Sequence, residues 1–326
     1  MNGPSVSNLC LGTMMFGDRT DEGEAREICA LYREAGGNFL DTADVYAAGE
    51  SERIVGRIAG KDRDAFIVAT KLGNAMPDHR KADLSASYIS SAIEASRARL
   101  DMEMIDLLYL HRDDERTQLE ESIAAIGQAM ADGHVRHWGF SNFRGWKIAE
   151  MVRICDQLGV ARPVCTQPYY HALYREAERD ILPACHHFDI GAVTYSPLAR
   201  GLLTGKYRDG IPDGSRGGRN DQRISETEMR PAALDAARRF DDHARARGVS
   251  TSGLAMRWVL ANPAVTSVLA GPRTVEQMQG YLDAMSVPVD DEDEAFVEAM
   301  VPAGCAAGST YFDPRYPYRG RFAGDA

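Results

Sequence analysis

The chain alternates between short apolar runs and longer segments in which an apolar residue recurs every three or four positions. Strand candidates lie at 38–40, 65–70, 105–110, 135–140, 162–166, 190–194 and 265–269. Helix candidates lie at 21–36, 85–100, 117–132, 177–187, 231–247, 251–261 and 274–283, with one more around Ile148, Val152 and Cys155. Strands that alternate with amphipathic helices predict a parallel sheet covered by helices.

Local signals support several of these helices. Ala25, Ile28, Tyr32 and Ala35 share one face of the first helix, which the Gly36-Gly37 pair ends. Ser85 is a candidate N-cap of the helix predicted at 85–100. In the next helix Leu119, Ile123, Ile126 and Met130 recur before Gly133. These positions predict which helix faces pack against the sheet.

The length of 326 residues fits one (β/α)8 TIM barrel, which takes about 250 residues plus insertions. No linker or short-period repeat divides the chain, so residues 1–326 are predicted to form a single domain. Two stretches are irregular. Segment 208–230 is rich in glycine and charge, and the segment from Pro302 carries Tyr311, Phe312, Tyr316, Tyr318 and Phe322. These aromatic residues fit either a loop over a pocket mouth or a tail docked on the barrel.

Composition narrows the classes of function. The apolar share of 44% and the charged share of 26% are ordinary for a soluble globular protein. A net charge of −11 argues against nucleic acid or an anionic membrane as a partner. The six cysteines have no zinc-type spacing, which predicts buried free thiols and no metal. Without a leader or a membrane-spanning run, we expect a cytoplasmic protein, compatible with a homo-oligomer.

Four polar residues follow the predicted strands where chemistry is expected. Asp41 and Tyr46 follow the run 38–40, Lys71 ends the next strand, and His111 follows the run 105–110. Active sites of barrels with parallel strands gather at the carboxyl ends of those strands. The four side chains are therefore expected to converge, although they are far apart in sequence.

The chemistry of this set can be stated from the residue types. A free tyrosine has a pKa of about 10, and a nearby ammonium lowers that pKa by stabilising the phenolate. A carboxylate beside Lys71 would keep the ammonium charged, and a histidine can orient an oxygen that receives a proton. The set suits protonation of a carbonyl oxygen while hydride arrives at the carbonyl carbon. Because no side chain supplies a hydride, a cofactor is required.

These residues and their surroundings resemble the aldo-keto reductase family over nearly the whole chain. Six strings in the family's order carry the resemblance: Leu11–Met14 at the first strand, Asn38–Tyr46, Ala69–Lys71, Asp106–His111, Gly133–Phe143 and Tyr195–Tyr207. The last string is similar to the cofactor loop of the branch that includes potassium-channel β subunits and many bacterial reductases. One such string alone is weak evidence for the family, whereas six in the correct order are strong evidence.

The resemblance implies an enzyme that reduces an aldehyde or ketone, or oxidises an alcohol, with NADP(H). It implies Tyr46 as proton donor, Lys71 and Asp41 as the groups that tune it, and His111 as the group that orients the carbonyl. The implied cofactor contacts are Gly12, Thr13, Met14, Asp41, Ser141, Asn142, Gln167, Tyr195, Ser196, Pro197, Leu198, Gly201, Leu203, Lys206, Arg216, Gly271, Arg273 and Gln277.

Within this set the resemblance implies separate tasks. Ser141, Asn142 and Gln167 would hold the nicotinamide carboxamide, and Tyr195 would stack on its ring. Residues 196–198 with Lys206 and Arg216 would contact the pyrophosphate. The adenosine end would face Gly271, Arg273 and Gln277. Since the family usually has a cation for the 2′-phosphate at the position of Arg273, NADP is favoured over NAD.

Two departures from the family pattern qualify these expectations. Gly280-Tyr281 stands where the family commonly has a Glu-Asn pair near the adenine, so adenine contacts are expected to be reduced or rebuilt. The hairpin that usually closes the bottom of the barrel is mostly missing before Val6.

Other interpretations stay open from the sequence alone. Asp41 and Lys71 would also fit a structural ion pair, and Tyr195 could simply pack. Arg273 would also fit a solvated side chain, as would Arg216 and Arg219. A Schiff-base lyase with Lys71 as nucleophile is a second function, although it leaves Tyr195, Gln167, Ser141 and Asn142 without a role. A nucleotide-sensing regulatory subunit with slow chemistry is a third.

Overall fold

Parallel strands close into a barrel in the computed structural model, which describes residues 3–75, 81–219 and 221–308. The strands are β1 Leu9–Gly12, β2 Phe39–Asp41, β3 Ile67–Leu72, β4 Ile105–Leu110, β5 Val135–Ser141, β6 Cys165–Gln167, β7 Gly191–Tyr195 and β8 Val265–Ala270. Each strand pairs with the next in chain order, and β8 pairs with β1, where Leu9 lies opposite Val268. The prediction of a (β/α)8 TIM barrel is confirmed.

Helices follow most of the strands and cover the outside of the barrel. They are α1 Glu22–Glu34, α2 Glu50–Ala59, α3 Ala86–Leu100, α4 Leu119–Ala131, α5 Gly145–Leu158, α6 Ile181–His187, α7 Gln222–Thr227, α8 Pro231–Ala246, α9 Thr251–Ala261, α10 Val275–Ala284 and α11 Asp291–Met300. Short 3₁₀ turns at Tyr46–Gly49, Gly60–Ala65, Glu176–Glu178 and Ala199–Thr204 connect other elements. All helices in the sequence-based prediction are present.

The sequence-based prediction omitted α2, α7 and α11. Helix α2 buries Ile54, Val55 and Ala59, but Gly56 inside it lowers local helix propensity. A side chain at Gly56 would collide with the backbone of Leu100, since an added Cβ would lie 2.2 Å from that carbonyl oxygen. Close packing against α3 therefore explains why a poor helix former occupies the middle of α2.

Several predicted boundaries were wrong by a few residues. Strand β1 ends at Gly12, so Thr13 and Met14 lie in the loop that follows it. Strand β6 begins at Cys165 rather than at 162, because Pro163 cannot donate a strand hydrogen bond. Helix α6 begins only at Ile181, after a separate 3₁₀ turn.

The signals for the first two predicted helices are confirmed only in part. Asp21 caps α1 by accepting from the Glu24 backbone N–H at 2.9 Å, and Ala25, Ile28 and Tyr32 are buried as expected. Ala35, in contrast, lies past the last turn and is exposed. Ser85 occupies the N-cap position of α3, but its side chain makes no capping hydrogen bond.

Side chains from alternate positions of the strands fill two different cores. The barrel interior holds a cluster of Cys10, Phe39, Ala69, Leu107, Tyr109, Cys165 and Val193. The intervening positions, such as Leu40, Val68 and Leu108, pack in the larger core between the sheet and the helices. Since side chains alternate between the two faces of a strand, residues two positions beyond an interior residue also point inward.

Five of the six cysteines are buried and all six are free thiols, as the sequence predicted. Across the described part of the chain, no helix has the length and apolar character needed to cross a lipid bilayer. The C-terminal aromatic residues, Tyr311, Phe312, Tyr316, Tyr318 and Phe322, lie outside the described residues.

Candidate active site

The carboxyl ends of β2, β3 and β4 bring three of the predicted catalytic residues to one mouth of the barrel. Each residue lies two positions beyond a member of the interior cluster: Asp41 beyond Phe39, Lys71 beyond Ala69, and His111 beyond Tyr109. Tyr46 reaches the same mouth from the 3₁₀ turn after β2. The strand period therefore accounts for the inward direction of these side chains.

The Lys71 ammonium lies at the centre of this group. It donates hydrogen bonds to the Asp41 carboxylate and, at 2.7 Å, to the Thr42 carbonyl oxygen. The distance from Lys71 Nζ to the Tyr46 hydroxyl oxygen is 3.4 Å. The side chains of both Lys71 and Asp41 are only 1% exposed. The ammonium is thus enclosed by oxygen atoms, one of which belongs to the tyrosine.

Burial and charge act in opposite directions on the Lys71–Asp41 pair. Burial by itself lowers the pKa of Lys71, but Asp41 and Tyr46 together raise that pKa above its ordinary value. Burial raises the pKa of Asp41, while the Lys71 ammonium and the hydrogen bond from Gln167 oppose the increase. The arrangement keeps Lys71 as an ammonium ion.

His111 stands at right angles to the tyrosine ring. The two ring centroids are 6.2 Å apart and the ring planes meet at 88°. The His111 backbone N–H donates to the Leu72 carbonyl oxygen at 2.8 Å, which ties the start of its loop to β3. Burial, with the positive charges of Lys71 and Arg112, lowers the pKa of His111 well below its ordinary value. The imidazole is therefore neutral near pH 7.

The four residues predicted to hold a nicotinamide ring form one hydrogen-bonded set. Gln167 Nε2 donates to Asp41 Oδ2 at 2.8 Å, and Ser141 Oγ donates to the Gln167 carbonyl oxygen at 2.7 Å. Asn142 Nδ2 donates to Ser141 Oγ at 2.9 Å, and the Tyr195 hydroxyl donates to Asn142 Oδ1 at 2.9 Å. The ends of β5, β6 and β7 are thereby connected to the Asp41 carboxylate.

Backbone strain is concentrated at the same edge of the barrel. Among the described residues, nine that are not glycine have positive φ. Six of them lie in loops directly after β2, β5 and β7, namely Ala47, Ala48, Asn142, Ser196, Ala199 and Arg200. A left-handed conformation costs a non-glycine residue roughly 1–2 kcal/mol, and such residues cluster at functional sites. The strain therefore supports this edge as the site.

Positive charges converge on the other side of the mouth. Burial lowers the pKa of Lys206, and Arg273, Arg216 and Arg219 lower it further, against the effect of Tyr207. Burial and the charge of Arg200 lower the pKa of Arg216. Asp221 and Tyr281 oppose the decrease in the pKa of Arg216, and no salt bridge of Lys206, Arg216 or Arg273 is found within the described residues.

The remaining predicted cofactor contacts border this region, although not all can use their side chains. Leu203 is fully buried and Leu198 is 8% exposed in the core, so only their backbones remain for a ligand. Gly12 ends β1, and Gly271 follows β8, where an added Cβ would lie 3.4 Å from the Gly12 carbonyl oxygen. Gln277 accepts from the Arg273 backbone N–H at 2.9 Å.

The other members of that set lie in the loops at the same edge. Thr13 is buried and its hydroxyl donates to the Asp41 carbonyl oxygen at 3.0 Å, whereas Met14 is 41% exposed. Ser196 and Pro197 form the turn after β7, and Gly201 has a φ of 102° beside the Lys206 amine. The structure thus brings the predicted cofactor residues to the mouth of one barrel.

Sequence reasoning missed two contributors. The Thr42 carbonyl oxygen accepts from Lys71, and a backbone acceptor carries no signal in the residue type. Arg200 lies near Arg216 and was passed over inside the string Tyr195–Tyr207, although a positively charged residue in a predicted phosphate loop was a usable signal.

Comparison with known proteins agrees with this geometry. The sequence model of the Aldo/keto reductase family matches residues 8–301. A protein from Arabidopsis thaliana, named "Probable voltage-gated potassium channel subunit beta", is 34% identical over 293 residues, which are 88% of this chain and 89% of the relative. A protein of the same name from Oryza sativa subsp. japonica is 34% identical over 313 residues, covering 91% and 95% respectively.

The chain therefore belongs to the aldo/keto reductase family. Membership of this family supports an oxidoreductase that uses a nicotinamide cofactor.

Proposed function

We propose that this protein is an NADP-dependent oxidoreductase that reduces an aldehyde or ketone to an alcohol, or catalyses the reverse reaction. One observation carries the proposal. The ammonium of Lys71 is held by Asp41 and the Thr42 carbonyl, and lies 3.4 Å from the hydroxyl oxygen of Tyr46. A positive charge at this distance favours negative charge on the phenolic oxygen and so makes the hydroxyl a better acid.

Tyr46 gives its hydroxyl proton to the carbonyl oxygen of the substrate in the direction of reduction. The O–H bond of Tyr46 breaks, a new O–H bond forms on the substrate, and Lys71 stabilises the phenolate until solvent returns a proton. Neutral His111 can donate one hydrogen bond to the substrate oxygen and so orient it. When bound, the nicotinamide cofactor supplies the hydride that the carbonyl carbon accepts.

The residues present fit such a cofactor. Asn142, Gln167 and Ser141 offer amide and hydroxyl groups to a carboxamide, and Tyr195 offers a ring face. The cations Lys206, Arg216 and Arg273 repel one another, and phosphate groups would relieve that repulsion. Arg273 lies just before α10, whose first backbone N–H, that of Val275, already donates to the Glu24 carboxylate at 2.7 Å, so the Arg273 side chain is the group proposed for a 2′-phosphate. This supports NADP over NAD.

The lyase alternative fits the geometry poorly. A Schiff base requires a neutral amine as nucleophile, and enzymes obtain one by lowering the pKa of a lysine. Here the net pKa shift of Lys71 is upward, and its ammonium protons are engaged by Asp41 and Thr42. The same contacts that suit Lys71 to stabilise a phenolate make it a poor nucleophile.

A regulatory subunit that binds the nucleotide and turns over slowly is the second candidate, because two relatives are named channel β subunits. Both candidates require cofactor binding, so binding alone does not separate them. Steady-state turnover with a panel of aldehydes and ketones, compared with the rate of cofactor release, does. An enzyme completes many turnovers at a rate close to that of cofactor release, whereas a sensor completes a single turnover that is much slower than cofactor release.

The Tyr46→Phe variant tests the proposed acid. We expect the rate of carbonyl reduction to fall by a factor of about 10²–10⁴, the usual contribution of general acid catalysis. NADPH binding should stay close to that of the wild type, since other residues would hold the cofactor. Rates of carbonyl reduction and fluorescence titration with NADPH measure the two properties separately.

The Tyr170→Phe variant is a matched control. Tyr170 is buried where Tyr46 is half-buried, and its hydroxyl donates to Glu178, away from the barrel mouth. Its loss should leave carbonyl reduction unchanged. If Tyr46→Phe kept most of the turnover, Tyr46 would not be the acid.

A further inference from the structure

A second buried polar cluster lies behind the proposed nicotinamide platform and takes no part in the reaction described above. It consists of Tyr169, His171, Arg200 and Glu228. The exposed fractions of Tyr169, His171 and Glu228 are 9%, 1% and 2%. The Tyr169 hydroxyl donates to the Glu228 carboxylate, and Arg200 Nε lies 3.6 Å from the same carboxylate. A carboxylate buried this deeply is costly unless such partners hold it.

The protonation of His171 shows which group balances the charge of Glu228. The Leu173 backbone N–H donates to His171 Nδ1 at 3.2 Å, so the proton of the neutral ring is on Nε2, 3.8 Å from Glu228. Burial, with the positive charges of Arg200 and Arg230, lowers the pKa of His171 to about 3. His171 is neutral at pH 7, and the charge of Glu228 is balanced by arginine.

The cluster touches Tyr195 through the ring of Tyr169. The centroids of the two rings are 5.2 Å apart with their planes 32° from each other. The Arg200 guanidinium lies 5.4 Å from the centre of the Tyr169 ring, and the Tyr174 ring packs at 4.8 Å. Tyr169 thus covers part of Tyr195, while Asn142 holds the Tyr195 hydroxyl. The orientation of the Tyr195 ring is set by both contacts.

Glu228 also connects this cluster to the proposed cofactor loop. It caps α7, because its backbone N–H donates to the Ile224 carbonyl oxygen at 2.8 Å, and it lies near the end of segment 208–230 that carries Arg216. Arg200, its ionic partner, lies in the turn after β7 beside the proposed pyrophosphate contacts. One buried carboxylate therefore joins the end of β6, the turn after β7 and segment 208–230.

We propose that Tyr169 and Glu228 are positioning residues that fix the Tyr195 ring against which the nicotinamide of the cofactor stacks. This inference rests on the proposed function, because it assigns Tyr195 to the cofactor. Glu228 holds the Tyr169 hydroxyl, Tyr169 supports the Tyr195 ring from behind, and the remaining face of Tyr195 receives the nicotinamide. Hydride transfer depends steeply on the placement of the reacting atoms, so a ring free to tilt slows that step.

Two substitutions separate the hydroxyl from the ring. Tyr169→Phe keeps the ring and removes the contact with Glu228, whereas Tyr169→Leu removes the ring as well. For Tyr169→Leu we expect hydride transfer to slow by about tenfold, which corresponds to about 1.4 kcal/mol in the barrier. Tyr169→Phe should show a smaller loss. The dissociation constant of NADPH should change little, since the phosphate contacts remain.

The measurements are the fluorescence lifetime of bound NADPH and the single-turnover rate of hydride transfer with deuterated cofactor. A nicotinamide with a mobile support should show an altered lifetime in both Tyr169 variants, without any substrate present. The double variant of Tyr169→Phe with Glu228→Gln should lose less than the sum of the two single variants, because both remove the contact between Tyr169 and Glu228, although Glu228→Gln also removes the ionic contact with Arg200. Tyr170→Phe again serves as the control with a buried hydroxyl removed elsewhere.

The outcomes distinguish the two proposals. Variants that lose thermal stability but keep the wild-type lifetime and hydride rate would show that the cluster only holds the fold, and would overturn the inference. If the wild-type protein bound NADPH but reduced no carbonyl, the proposed function would fail, while the lifetimes would still decide the role of Tyr169. Absence of NADPH binding by the wild type would overturn both.

Discussion

Replacing Lys71 by methionine is the sharpest test of how the site is built. The change keeps an unbranched side chain, one heavy atom shorter, and removes its charge. The Asp41 carboxylate, 1% exposed, then loses its ionic partner and keeps the hydrogen bond from Gln167 Nε2 at 2.8 Å. Breaking a buried ion pair by removing one partner costs about 3–5 kcal/mol. Carbonyl reduction should fall together with stability, because the phenolate of Tyr46 loses its neighbouring cation.

An independent estimate gives a similar magnitude. The unpaired carboxylate can avoid the free-energy cost of a buried charge by taking up a proton. Raising the pKa of an aspartate from about 3.9 to 7 corresponds to about 4 kcal/mol. In the variant, the pKa of Asp41 in the folded state then exceeds that in the unfolded state. The folded protein binds more protons, so its stability relative to the wild type falls as the pH rises. The deficit should be small near pH 4–5 and large at pH 7–8.

Urea denaturation of both proteins between pH 5 and 8 measures this deficit, with a slope of at most about 1.4 kcal/mol per pH unit. The double variant of Asp41→Asn with Lys71→Met removes both charges and should recover most of the stability while staying inactive. A deficit that does not change with pH would refute the reasoning that Asp41 is left as a buried, unpaired carboxylate. So would a folded Lys71→Met protein that still reduces carbonyls.

Three further predictions follow from other parts of the site. Arg273→Ala should weaken NADPH binding by a few kcal/mol at most, since charged hydrogen bonds contribute roughly 1.5–3 kcal/mol each, and should leave NADH binding nearly unchanged. Fluorescence titration with both cofactors measures the two affinities. An equal loss for both cofactors would contradict a 2′-phosphate role for Arg273. Arg216→Ala should speed NADP release and leave hydride transfer unchanged in stopped-flow traces. In the wild-type protein, NADPH should protect segment 208–230 from protease. If NADPH fails to protect the segment and release is unchanged in the variant, the segment is a spacer rather than a clamp. The pKa of His111 is lowered in the folded state, so the stabilisation that the neutral ring gives is complete above about pH 6.5 and is lost as the pH falls below that value. Below about pH 6.5, urea denaturation of a His111→Gln variant should therefore show a shallower loss of stability than that of the wild type. An identical pH profile would show that the ring titrates normally.

The sequence alone predicted the alternating strands and helices of the barrel and the convergence of the proposed catalytic residues at the strand ends, because both follow from local periodicity. Apolar runs of strand length recur between amphipathic helices, and Asp41, Lys71 and His111 each close such a run. A strand alternates its side chains with a period of two, so the inward direction of each residue was fixed within a few positions of the chain. The resemblance to a known family supplied the roles of Tyr46 and of the cofactor residues, which periodicity does not encode.

Local patterns were less informative where packing overrides propensity. Helix α2 was not predicted because Gly56 lowers its helix propensity. The glycine leaves space for the backbone of Leu100, which is close only in the folded chain. Helix α7 is two turns long and lies inside a segment whose glycines and charges suggest a loop. In both cases the residues favour another structure locally, and contacts from distant elements decide the outcome.

The contacts within the site were decided by closure of the barrel. Gln167 and Asp41 are 126 positions apart in the chain, and their hydrogen bond exists only because β2 and β6 face each other across the interior. The contact between Tyr169 and Glu228 spans 59 positions and joins a strand end to a loop that carries no pattern of its own. Sequence periodicity fixes which way a side chain points. Which partner it meets depends on the register of all eight strands, and that register is a property of the closed sheet as a whole.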